Sequence, residues 1–120
     1  MYGRNGEIGA ADLSFFIGAT LTQICLGAYD LGLNFTLPSC GVMISSSFGI
    51  QAANSELVKH ELTMSHLLRP FLNRDLIAAT WAEMGTLILT FDGNDQIHVF
   101  DDSDQYESYV INQKELTIVV

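Results

Sequence analysis

The stretch "GTLILTFDGNDQIHVF", residues 85–100, decides how this chain folds. Leu87, Leu89 and Phe91 alternate with Ile88 and Thr90, so one face of an extended segment carries three large apolar groups. A period of two is the signature of a strand, because successive side chains point to opposite faces. Asp92-Gly93-Asn94-Asp95 interrupts the pattern with residues that tolerate positive φ, and "QIHVF" (96–100) resumes it. The segment reads as a β-hairpin.

The same pattern extends in both directions. "YESYVI" (106–111) and "LTIVV" (116–120) predict two more strands joined by Asn112-Gln113-Lys114-Glu115. Tyr106 and Tyr109 have opposite parity there, so one faces inward and the other outward. Upstream, "LIAATWAEM" (76–84) is short and carries Thr80 and Trp81, which favours a strand, with Trp81 as a core anchor. "LTQICLG" (21–27), "GLNFTL" (32–37) and "VMISSSFGI" (42–50) are further strand-length runs, separated by Tyr29-Asp30 and by Pro38-Ser39-Cys40-Gly41. Only residues 54–73 escape the alternation. A short helix is expected at 63–72, capped by Thr63, with Leu67 and Phe71 on one side and Pro70 keeping it short. The opening "MYGRNGEIGAADLSFF" (1–16) is Gly-rich and is expected to be mobile, anchored at its end by Phe15 and Phe16. The predicted class is α+β, mainly antiparallel β: one domain over 17–120, its sheet curled into a partial barrel or folded into a sandwich, with one short helix.

At 120 residues and 48% apolar, the chain has the length and the hydrophobic content of one self-sufficient domain. Fourteen acids face five bases, a formal charge of −9. That balance repels phosphates and anionic lipid heads, so neither nucleic acid nor membrane is an expected partner. The apolar run "LSFFIGATLTQICLGAYDLGL" (13–33) is broken by Thr20, Gln23 and Asp30, and Glu7 and Asp12 stand where an export signal carries positive charge. A cytoplasmic protein with two free thiols, Cys25 and Cys40, is the expectation.

Between residues 91 and 111 the chain holds six carboxylates and no lysine or arginine. As a calcium loop the region fails: counting from Asp92 puts Ile97 at the sixth position and Ser103 at the twelfth, and counting from Asp101 puts Tyr106 and Asn112 there. His60, His66 and His98 share no ligand spacing with each other or with the cysteines. Ser45-Ser46-Ser47 lacks the Gly-x-Ser-x-Gly elbow, and neither cysteine has a nucleophile signature. No catalytic group, metal or cofactor is therefore expected. His98 is expected to project among the acids, with its pKa raised by them. Two readings of the acids stand side by side: a solvated loop, or a docking surface for a basic protein. On the second, the contact residues are Asp92, Asp95, His98, Asp101, Asp102, Asp104, Tyr106, Glu107 and Tyr109.

The succession "LTQICLGAYDLGLNF", a helix-like middle, "GTLILTFDGNDQIHVFDDSDQYESYVI" and a terminal "LTIVV" resembles a family of small bacterial β-rich proteins. Their pattern is a Gly-x-Leu-x-Leu-x-Phe-x-Asp-Gly hairpin and a Tyr-Glu-x-(Trp/Tyr)-x-(Ile/Leu) strand, matched here by Gly85, Leu87, Leu89, Phe91 and Tyr106–Ile111, over about residues 20–120. Asp92 follows Phe91 directly, so the spacer before Asp-Gly is missing. By size, charge and fold type the chain also looks like an immunity protein of contact-dependent growth inhibition systems. That resemblance implies neutralisation of a basic toxin, a nuclease in the first instance, by covering its active site or substrate groove. The alternatives are a small-molecule-binding or enzymatic domain using the interior of a curled sheet, or a homo-oligomeric module pairing through an edge strand such as 116–120.

Overall fold

The computed structural model describes residues 13–36, 39–102, 108–113 and 116–120. Ten strands make two open antiparallel five-stranded sheets. The first sheet takes the order β1 (Thr20–Leu26), β2 (Leu31–Thr36), β3 (Cys40–Ile44), β9 (Tyr109–Gln113), β10 (Leu116–Val119). The second takes β5 (Val58–Glu61), β4 (Ser47–Gln51), β8 (Gln96–Phe100), β7 (Leu87–Phe91), β6 (Leu76–Trp81). The mainly antiparallel β class read from the sequence is the observed one, and the sheets do not close into a barrel. The start of β1 meets the segment leading into β6 through a bridge between Thr20 and Asp75 and through backbone bonds that join residues 18–21 to 73–76.

The predicted hairpin forms as read. Leu87, Leu89 and Phe91 are buried, and Ile97 and Val99 of β8 join them on the inner face. The connection from Asp92 to Asn94 is a 3-10 turn with Gly93 at φ 84° and Asn94 at φ 70°, a geometry L side chains other than Asn and Asp rarely adopt.

The expected third strand, 42–50, is two strands in different sheets. Val42 and Ile44 face the core from the first sheet, Phe48 and Ile50 face it from the second, and the chain turns the corner at Ser45 and Ser46. The two strands have different partners, β3 pairing with β9 and β4 with β8. In β1 the simple alternation also fails. A bulge between Leu21 and Gln23 inserts Thr22, so Leu21 and Ile24 turn inward while Gln23 and Cys25 turn outward.

The middle of the chain is a 3-10 helix, Leu62–Phe71, with a kink at Met64. It contributes Leu68 and Phe71 to the core and runs through Pro70; it begins after Glu61, with no side-chain cap, so Thr63 lies inside it instead of capping it. At the other end, Leu13 and Phe16 are buried and Phe15 packs against the core half-buried; residues 1–12 lie outside the described residues. Phe16, Phe35, Phe91 and Phe71 then form a relay of ring contacts at 5.8, 6.4 and 5.0 Å that joins the first turn, both sheets and the 3-10 helix. Each such pair adds about 0.5–1.5 kcal/mol beyond the area it buries. The space between the sheets is filled by these side chains, so the inside of the fold is a core. Trp81 packs against it half-buried. No helix among the described residues is long and apolar enough to cross a membrane.

Candidate functional site

The acids singled out in the sequence fall at two places. Asp92 and Asp95 bracket the β7–β8 turn, and Asp101 and Asp102 follow β8 at the corner where the chain passes between sheets. Asp104, Tyr106 and Glu107 lie outside the described residues.

At the turn, the segment's lack of local bases is made good from a distance. Arg74, just before β6, places Nε 3.2 Å from Asp92 Oδ1 and Nη1 2.9 Å from Asp95 Oδ2, and Nη2 donates to the Asp92 carbonyl. Its guanidinium also lies over the rings of Phe71 and Phe91, at 5.3 and 5.9 Å. Asp95 Oδ1 accepts from the Ala53 amide at 2.8 Å. That backbone bond, followed by the Arg74 bond, holds the Asp95 carboxyl below the usual range, because both favour the charged form. Arg74 is held above its ordinary value: burial pulls it down, and the bonds to Asp95 and Asp92 outweigh that.

The corner is a compact polar knot. Ser45 N donates to the Ser108 carbonyl at 2.8 Å, and Ser46 Oγ stands 2.5 Å from the Phe100 carbonyl and 3.1 Å from that of Ser108. Ser47 Oγ donates to Asp102 Oδ2 at 2.7 Å, and Lys59 Nζ reaches the same oxygen at 2.6 Å. Ser108 Oγ donates to Asp101 Oδ1 at 2.6 Å. Burial alone would raise Asp102, but the bonds from Lys59 and Ser47 turn the net shift downward. The serine run that offered no nucleophile signature therefore satisfies the backbone where two strands bend together.

Two members of the expected contact set are buried. Tyr109 is fully buried at the start of β9, with its hydroxyl donating to the Gly85 carbonyl. It is the inward tyrosine of the pair, so it secures the corner from within. His98 does not project among the acids. It is 8% exposed, its Nε2 lies 2.9 Å from Gln96 Oε1, and its ring centre is 6.3 Å from that of Phe100. Burial lowers its pKa, the reverse of the rise expected from neighbouring carboxylates. The surface-facing members are Asp92, Asp95, Asp101 and Asp102.

Sequence reading missed Lys59, Arg74, Ser47 and Ser108 as partners of these acids. The one available signal was scarcity: with five bases in the chain, each is a candidate for a structural ion pair. Among the described residues no three His, Cys, Asp or Glu side chains gather to hold a metal ion. Cys40 is buried, which pushes its thiol up to about 11, and Cys25 is exposed at the edge strand β1. No family model, curated protein or solved structure matches the chain.

Proposed function

We propose that the chain is a non-enzymatic binding protein that captures a basic protein through the anionic face around the β7–β8 turn and the β8–β9 corner. The resemblance to immunity proteins suggests a toxin as that partner, with a nuclease domain first among them, since a nuclease must be basic to hold phosphates. The observation that carries the reading is the charge excess that internal pairing leaves untouched. Arg74 and Lys59 redistribute charge within the chain, and the total stays at −9. Pairing also supports the reading in a second way. Carboxylates held in fixed positions by Arg74, Ser47 and Ser108 lose little further freedom when a partner docks, so more of the contact energy appears as affinity. Steering by such a surface raises association rates by about 10 to 1,000-fold at low salt.

The test mixes the purified chain with a panel of basic nuclease domains from bacterial toxins, with poly-arginine as a charge-only control. The proposal expects one domain to lose its activity at stoichiometric addition, with no comparable capture of poly-arginine. Inhibition of none of them, or equal binding of every cation tried, contradicts it.

A further inference from the structure

The outer face of the first sheet carries a groove of about 490 Å³ at the end opposite the acidic corner. Strand register builds it. Gln23 pairs with Asn34, Asn34 with Gly41, and Gly41 with Asn112, so three amides and one glycine form a row across four strands. Gln113 flanks the row, and Met43, 39% exposed, forms its apolar wall. Gly41 makes the floor. A Cβ there would stand 3.1 Å from both Asn34 Oδ1 and the Leu33 carbonyl, so any side chain would crowd the amide and fill the trough. At the other outward glycine of this sheet, Gly32, a Cβ would stand at ordinary contact distance, 3.5 Å, from the Met43 methyl.

The lining chemistry selects the ligand. In a chain of charge −9, none of the described residues lining this groove is charged. They offer amides and hydroxyls, each able to donate and accept, and internal bonds use only part of that capacity: Asn34 Nδ2 donates to Gln23 Oε1 at 3.0 Å, and Asn112 Oδ1 accepts from Thr117 at 3.4 Å. An anionic ligand would find no cation among the described lining residues, and a cationic one would be drawn to the carboxylates elsewhere. A purely apolar ligand would strand the amides without partners. A neutral polyhydroxylated molecule matches donors and acceptors together and rests its C–H face on Met43. We propose that this groove binds an uncharged saccharide, independently of the acidic corner. The two sites stand at opposite ends of β3 and β9, four residues apart along each strand, or roughly 13 Å.

The experiment titrates the full chain, labelled with 15N, with maltotriose, cellotriose and chitotriose up to about 10 mM, a range in which millimolar affinity is visible. The expected result is that at least one sugar shifts the side-chain amides of Gln23, Asn34, Asn112 and Gln113 together with the Gly41 backbone amide. Asn112→Ala should weaken that binding about fivefold or more, the value of one hydrogen bond. Gln113→Ala serves the same purpose if that variant does not fold. Asp102→Asn should leave sugar binding unchanged. Absence of shifts with all three sugars, shifts scattered away from the groove, or binding that is equally strong in both amide variants overturns the proposal.

Discussion

Replacing Arg74 with methionine isolates what its charge does, because the methionine stem still covers the rings of Phe71 and Phe91. The pair with Asp92 is exposed, at 59% of that side chain, and is worth a few tenths of a kcal/mol. The pair with Asp95 is better shielded, at 31% and 23% exposure for the two partners. With the loss of the ring contact, the total is about 1–2 kcal/mol, or about 4–8 °C in Tm for a chain of this length. The pH dependence gives the sharper check. Asp95 has a folded pKa below its unfolded value near 3.9, so its contribution is present above that value and is lost as pH falls through the folded one. The gap between wild type and Arg74→Met should therefore hold from pH 7 to 5 and narrow toward pH 3. Thermal unfolding followed by circular dichroism measures both. A variant as stable as wild type at pH 7, or a gap of the same size at pH 3, would refute the assignment of Arg74 as the clamp of the turn.

Two further outcomes test other parts of the account. Tyr109→Phe should cost about 0.5–1.5 kcal/mol in denaturant unfolding, because it leaves the Gly85 carbonyl without the tyrosine hydroxyl; an unchanged midpoint would mean that the bond contributes nothing. His98 should titrate below 6.5 when followed by its ring proton in NMR, since the folded state disfavours its charge. Its depressed pKa makes stability present above the unfolded value near 6.5 and lost as pH falls toward the folded one. A titration at or above 6.5 would place the ring in water or beside a carboxylate.

The hairpin of residues 85–100 was legible because alternation and turn chemistry agree there. The corner at Ser45-Ser46 was not, for a reason the structure makes plain. Val42, Ile44, Phe48 and Ile50 keep one unbroken parity through the bend, so the sequence carries neither a phase change nor a glycine to mark it. In β1 the opposite happened: the bulge at Thr22 shifts phase inside a run that reads as regular. The ion pairs escaped for want of locality, as Arg74 is 18 and 21 residues from its two carboxylates. His98 misled because acids stand three residues away on either side, whereas its ring meets Gln96 and Phe100, which share its face of the strand. The groove on the first sheet left no local mark, since its amides come from three separate strands and its glycine from a fourth.

The proposed capture of a basic protein is tested most directly by its association rate as a function of salt. Stopped-flow mixing with the nuclease domain that the chain inhibits would compare wild type with the near-isosteric triple variant Asp101→Asn, Asp102→Asn, Asp104→Asn, after unfolding curves establish that both are folded. The account predicts a wild-type rate that falls steeply from low to physiological salt, and a variant that is at least about tenfold slower at low salt with a shallower slope. Identical rates and identical slopes for the two proteins would contradict it.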